Sequence, residues 1–412
     1  MSDRRGELVK LARVLDLEPD VLAQLALDAD SLRTVRESLS ATLFDASRPT
    51  LQRVAKASKL LPNGTAAKVG EHVFGPLLCA RIVGLLAPDH AIDLTLRLPD
   101  GFLADTSVEV DPRQAEQLIA AMPADRVVAI AGLLVARGDF LTLARFVDYL
   151  STDTIAAVIA SIPDELALLH IATFVESRAR LAELVGLIPP ARLRAMIAAV
   201  GAAPSELWLE ALALANQLDE RWKATIGDLA AELDPAVLEA MVATARKHDA
   251  WDAVLPLVAA MSAWSQARFV ELDGVNDPAV LAGLVSAADR LAMWRQLLPL
   301  AARMDPPLRQ RLASVIESVS IEAIDRIILA AHDRATWLGA LATACELPPS
   351  GQQRVMQRLS VHFEARVESL ADAAQSDAVW RALLLLVPYL PRAQRDRLAN
   401  TILAASGGKI VA

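Results

Sequence analysis

Apolar residues recur at helical spacing through the second half of this chain, and they do so in one register. Trp208, Trp251, Trp294, Trp337 and Trp380 follow one another at intervals of 43 residues. A leucine stands four residues after each: Leu212, Leu255, Leu298, Leu341 and Leu384. Residues four apart share a helix face, so each tryptophan and its leucine point the same way. Two further columns keep step. One is Leu218, Met261, Met304, Leu347 and Leu390; the other is Ile226, Phe269, Leu312, Val355 and Leu398. Apolar columns repeated at one long period mark a repeat protein, in which one supersecondary unit stacks on the next.

Polar start signals repeat with the apolar ones. Asp219, Ser262 and Asp305 share a column that Pro348 and Pro391 continue, and Asp234, Asp277 and Ser320 form a second. Asp and Ser side chains accept hydrogen bonds from the unpaired N–H groups of a first helical turn, and proline suits the first helical position. With the tryptophan helix, two start signals per unit predict three short helices of about 10–14 residues each. Strand signals are scarce. The expected fold is all-α: a right-handed α-solenoid over residues 111–404, regular from about 189, behind an N-terminal helical cap. Upstream the pattern degenerates. Val128 and Leu168 stand in for the missing tryptophans, and Gly132 falls where the leucine belongs.

Residues 1–60 read as the cap, a set of amphipathic helices with breaks near Leu17–Pro19, Asp28–Ser31 and Ser47–Pro49. Leu61–Thr65 reads as a loop, and 61–110 as an apolar helical segment joining cap to stack. Its run Val73–Ala87 carries Arg81 and is shorter than the roughly twenty residues a membrane span needs, so a buried helix is expected there. Residues 405–412 read as a flexible tail.

Composition narrows the function classes. The formal net charge is −9, which disfavours nucleic acid as the main partner. Cys79 and Cys345 are the only cysteines, with no disulfide framework. The polar start Met1–Gly6 lacks a leader's apolar stretch, and a cytoplasmic location is the expectation. No phosphate-cradling glycine motif, zinc-protease motif or nucleophile elbow is present, and none of the six histidines forms a ligand-spaced pair. A non-enzymatic protein without cofactor or metal is therefore expected.

One polar column stands apart: Arg268, Arg311, Arg354 and Arg397 recur every 43 residues, with Thr225 at its start and Arg145 on it upstream. These arginines suit two roles, packing and pairing between units or a positive line for an acidic peptide or anionic headgroups. The tryptophan ladder has a similar pair of readings, core packing or an exposed aromatic stripe.

The unit length and punctuation resemble the armadillo and HEAT class of helical repeats. The segment Val110-Asp-Pro-Arg-Gln-Ala-Glu-Gln-Leu-Ile119 with its continuation to Asp125 is similar to helices in the cytosolic N-terminal domain of MgtE-type magnesium transporters. The first resemblance implies a scaffold or adaptor that binds a protein partner, either another protein or a second copy of this chain, on a solenoid surface. The alternative follows from a mean hydropathy of +0.35: a lipid-binding or membrane-peripheral protein, with Phe74, Leu77, Leu78 and Ile82 as its surface anchors.

Overall fold

The computed structural model describes residues 2–405, apart from the side chains of residues 2–3 and 43–47. Its regular structure is all helical, with 28 α-helices and no strand among the described residues. The chain divides into two compact units, residues 1–200 and 201–412, and the division falls inside the helix Pro190–Gly201.

In the first unit Ser2–Leu15 packs on Ala29–Ser58 around Leu8, Leu11, Ala12, Leu22 and Leu32. From there Ala29–Ser58 also packs on Gly75–Val83, and Gly75–Val83 packs on Asp100–Glu109. Three local expectations fail here. The break at Ser47–Pro49 does not occur; Ala29–Ser58 is one 30-residue helix with Pro49 inside it. An interior proline costs about 3 kcal/mol. Leu51 and Ala55, within the next two turns, bury against Ile82, and that packing works against the break. Leu61–Thr65 is not a loop either. The Pro62 carbonyl accepts from Thr65 and Ala66 and starts a helix over Asn63–Val69. Finally, Val73–Ala87 is not a continuous buried helix. A π turn over Gly70–Phe74 runs into Gly75 at φ +72°, a conformation that suits glycine, and a new helix follows over Gly75–Val83. The change of direction leaves Val73 and Leu77 exposed and buries Ala80 and Ile82.

The second unit is punctuated at the columns the sequence marks. Asp219, Ser262 and Asp305 accept backbone N–H bonds from Trp222, Ser265 and Leu308 at the starts of helices Glu220–Ala231, Ala263–Val270 and Pro306–Glu317. Asp234, Asp277 and Ser320 do the same for Pro235–Lys247, Pro278–Arg290 and Ile321–Ala330. The tryptophan helices are Ser205–Gln217, Trp251–Ala260, Trp294–Arg303, Arg334–Cys345 and Asp377–Leu386. Contacts run between near neighbours in sequence, and the most extensive pairing is Trp294–Arg303 against Arg334–Cys345. Gly339 explains that approach: a Cβ there would sit 1.9 Å from the Leu298 carbonyl oxygen, so only glycine lets the two backbones meet. Gly283 plays the same part against the Trp251 indole.

Arg392–Ala405 ends the described chain, so Ala405 is helical rather than part of a tail, and residues 406–412 lie outside the described residues.

Candidate interaction surface

The tryptophan ladder lies in the interior. Trp208, Trp251, Trp294 and Trp337 are buried, and Trp380 is half-buried against the last core cluster. Two indoles are also satisfied: Trp294 donates to Asp289 at 3.0 Å and Trp337 to the Ser369 hydroxyl at 3.2 Å. The leucine column behaves alike until its last member. Leu212, Leu255, Leu298 and Leu341 are buried, whereas Leu384 is 51% exposed and its neighbour Leu385 is exposed as well.

The arginine column lies on the second helix of each group, and its members differ in what they hold. Arg397 pairs with Glu364 at 2.7 Å. Arg354 donates to the carbonyls of Ile316 and Glu317, in the last turn of Pro306–Glu317, at 3.4 and 2.7 Å. Arg311 donates to the Asn276 side-chain oxygen at 2.7 Å. Arg268 instead lies over the ring of Trp264, one turn earlier on the same helix, at 5.4 Å from the ring centroid. Trp264 is 55% exposed. Three of the four thus reach back to an earlier helix, and the fourth stays at the surface on an aromatic face. Arg145, on the same column in the first unit, also reaches back, to the carbonyls of Val108 and Val110. Arg180 repeats the device on Val147 and Leu150. A cation at a helix C-terminus satisfies carbonyls that have no partner within the helix and meets the negative end of the dipole.

A separate set of ion pairs ties the second unit together. Asp252 pairs with Arg290 at 2.6 Å, Asp289 with Arg326 at 2.6 Å and Asp325 with Arg358 at 2.6 Å. The His362 imidazole lies 3.1 Å from the same Asp325, within ion-pair range though not aligned as a hydrogen bond. The hydrogen bond from Arg326 holds the Asp289 carboxyl below the usual carboxylate range, and that from Arg358 does so for Asp325.

The first unit holds a polar assembly that local sequence pattern does not signal. Glu7 and Lys10 are buried one turn apart at 3.0 Å, and Lys10 also reaches Glu176 at 2.8 Å. Arg36 bridges the same two carboxylates at 3.2 and 3.0 Å, and Arg33 lies 3.6 and 3.5 Å from them. Burial pushes the Glu176 carboxyl up, but Lys10, Arg36 and Arg33 outweigh it and hold the pKa low. The set joins residues 166 positions apart, so no reading of neighbours could find it. Each charge has partners within the set, which suits a clasp between helices.

Other candidate chemistry is sparse. Burial pushes the thiols of Cys79 and Cys345 up to about 11, away from nucleophilic use. Among the described residues no group of three His, Cys, Asp or Glu side chains is placed to hold a metal ion. A cavity of about 50 Å³ lies between Trp294, Leu298, Ile328 and Trp337, and its lining is almost wholly apolar. Among the described residues no single helix is long and apolar enough to cross a membrane. The bent pair Arg178–Leu187 and Pro190–Gly201 passes a test of length and composition only when joined, across an angle of 112°.

No protein-family model, curated protein or solved structure matches the chain. The helical content is compatible with a solenoid; nothing in the comparisons supports an armadillo, HEAT or MgtE relationship.

Proposed function

We propose that the chain is a non-enzymatic scaffold of stacked 43-residue helical units that binds a protein partner on its second unit. The observation that carries this reading is the surface around Arg268. An exposed tryptophan and an arginine without a carboxylate partner stand together on one helix, beside helices held rigid by buried leucines and ion pairs. Tryptophan and arginine are the side chains most often found to dominate binding at protein interfaces. A right-handed stack in the manner of armadillo and HEAT proteins, and action in the cytoplasm, belong to the same proposal.

The lipid reading has less behind it. A cavity of about 50 Å³ holds no acyl chain, and small-molecule sites run to about 300–1,000 Å³. Of the four anchors suggested for a membrane surface, Ile82 is buried, Phe74 and Leu78 are half-buried, and Leu77 alone is exposed.

Affinity capture from native extract, followed by mass measurement of the complex in solution, tests the scaffold proposal. The expected result is a partner at fixed stoichiometry. A full-length protein that stays alone and monomeric in that experiment refutes it.

A further inference from the structure

The charge balance along the arginine column points to the chemistry of the partner. Arg397 is neutralised by Glu364. Arg311 and Arg354 donate to an amide oxygen and to backbone carbonyls, which hold the side chains in place, and among the described residues neither has a carboxylate in ion-pair range. Among the described residues Arg268 has neither a carboxylate within ion-pair range nor a hydrogen-bond acceptor; its contact is the Trp264 ring. Glu271 caps the C-terminal end of the same helix, and among the described residues it forms no ion pair with Arg268.

Contacts place the three cations in order. Asn276, which holds Arg311, follows the helix that carries Arg268; Ile316 and Glu317, which hold Arg354, end the helix that carries Arg311. A guanidinium stacked on an indole uses its flat face, and its in-plane N–H donors remain available. Those donors match the two oxygens of a carboxylate.

We infer that Arg268, Arg311 and Arg354 hold an acidic segment of the partner protein, with Trp264 against an apolar side chain of that segment. The inference rests on the scaffold reading and specifies its ligand. An anionic bilayer suits the row less well, because Trp264 is the lone large apolar side chain exposed on its helix.

A fluorescein-labelled polyglutamate peptide, titrated with the full chain at low salt and followed by anisotropy, is the test. Saturable binding is expected. Arg268→Glu and Arg311→Glu should each weaken it about tenfold or more, the loss of one charge-assisted hydrogen bond. Trp264→Ala should weaken it about two- to fivefold. Arg290→Glu changes the net charge equally but alters an arginine already paired with Asp252, and should leave affinity within about twofold. Unchanged thermal unfolding shows that the variants fold.

Absence of saturable binding, an equal loss in Arg290→Glu, or preference for phosphatidylserine vesicles over the peptide overturns the inference. Capture from extract separates its failure from that of the scaffold reading. A partner retained equally by the wild type and by Arg268→Glu/Arg311→Glu removes the row and leaves the scaffold. No partner with either protein removes both.

Discussion

Single side chains in the second unit carry unequal loads, and the difference follows from what covers them. Leu341 is buried between helices, so Leu341→Ala should cost about 2–5 kcal/mol. Leu384 occupies the same place in the sequence pattern but is half in water, and Leu384→Ala should cost about 1 kcal/mol or less. Urea unfolding of the two variants measures the contrast; equal losses would show that Leu384 is covered in solution. Gly339 sets a second contest. Helix propensity favours alanine there by about 1 kcal/mol. Overpacking costs about 1–3 kcal/mol, and the obstacle is the rigid Leu298 carbonyl rather than a flexible side chain. Gly339→Ala should therefore destabilise by up to about 2 kcal/mol, and an increase in unfolding temperature would contradict the close approach. The cysteines make a third case. Their thiols are pushed to about 11 from an ordinary 9.0, two units that reduce thiolate by about a hundredfold near pH 8. Labelling with a thiol reagent should be slower by at least that factor in the native protein than in urea.

Between elements, the pairs Asp289–Arg326 and Asp325–Arg358 join helices 30–40 positions apart and predict an acid response. Both carboxyls have folded pKa values below the ordinary carboxylate range, so the unfolded chain takes up protons first as pH falls. Their contribution is complete above the ordinary carboxylate pKa, near 4, and is lost progressively below it. Urea midpoints should fall between pH 6 and pH 3, and Asp289→Asn/Asp325→Asn should show a smaller fall. An identical acid response in wild type and variant would mean that these pairs add nothing to stability. The pairs are only partly buried, so a modest effect that weakens with salt is expected.

For the whole chain, helix content, start signals and core columns were legible in the sequence because they depend on short-range chemistry. A cap at Asp305 needs only the N–H of Leu308 three residues on, and Trp294 with Leu298 needs only one turn of helix. The departures occur where distant contacts outweigh local preference: Pro49 inside a helix held by Leu51 and Ala55, and Gly75 redirecting an apolar run. The arginine column was visible as a column, but its meaning was not. Which of Arg268, Arg311, Arg354 and Arg397 is paired with a carboxylate depends on groups 33–38 residues away for the last three, and for Arg268 its contact is the exposed Trp264. Glu7, Lys10 and Glu176 meet across 166 positions with no periodic signal at all. By itself the sequence determined the helical class, the helix starts of the second unit and most of its core columns, since capping and amphipathic spacing act within a few residues. Only the tertiary structure decided which charges are spent on neighbouring helices and which apolar side chains remain in water, because ion pairing and burial are properties of packed surfaces.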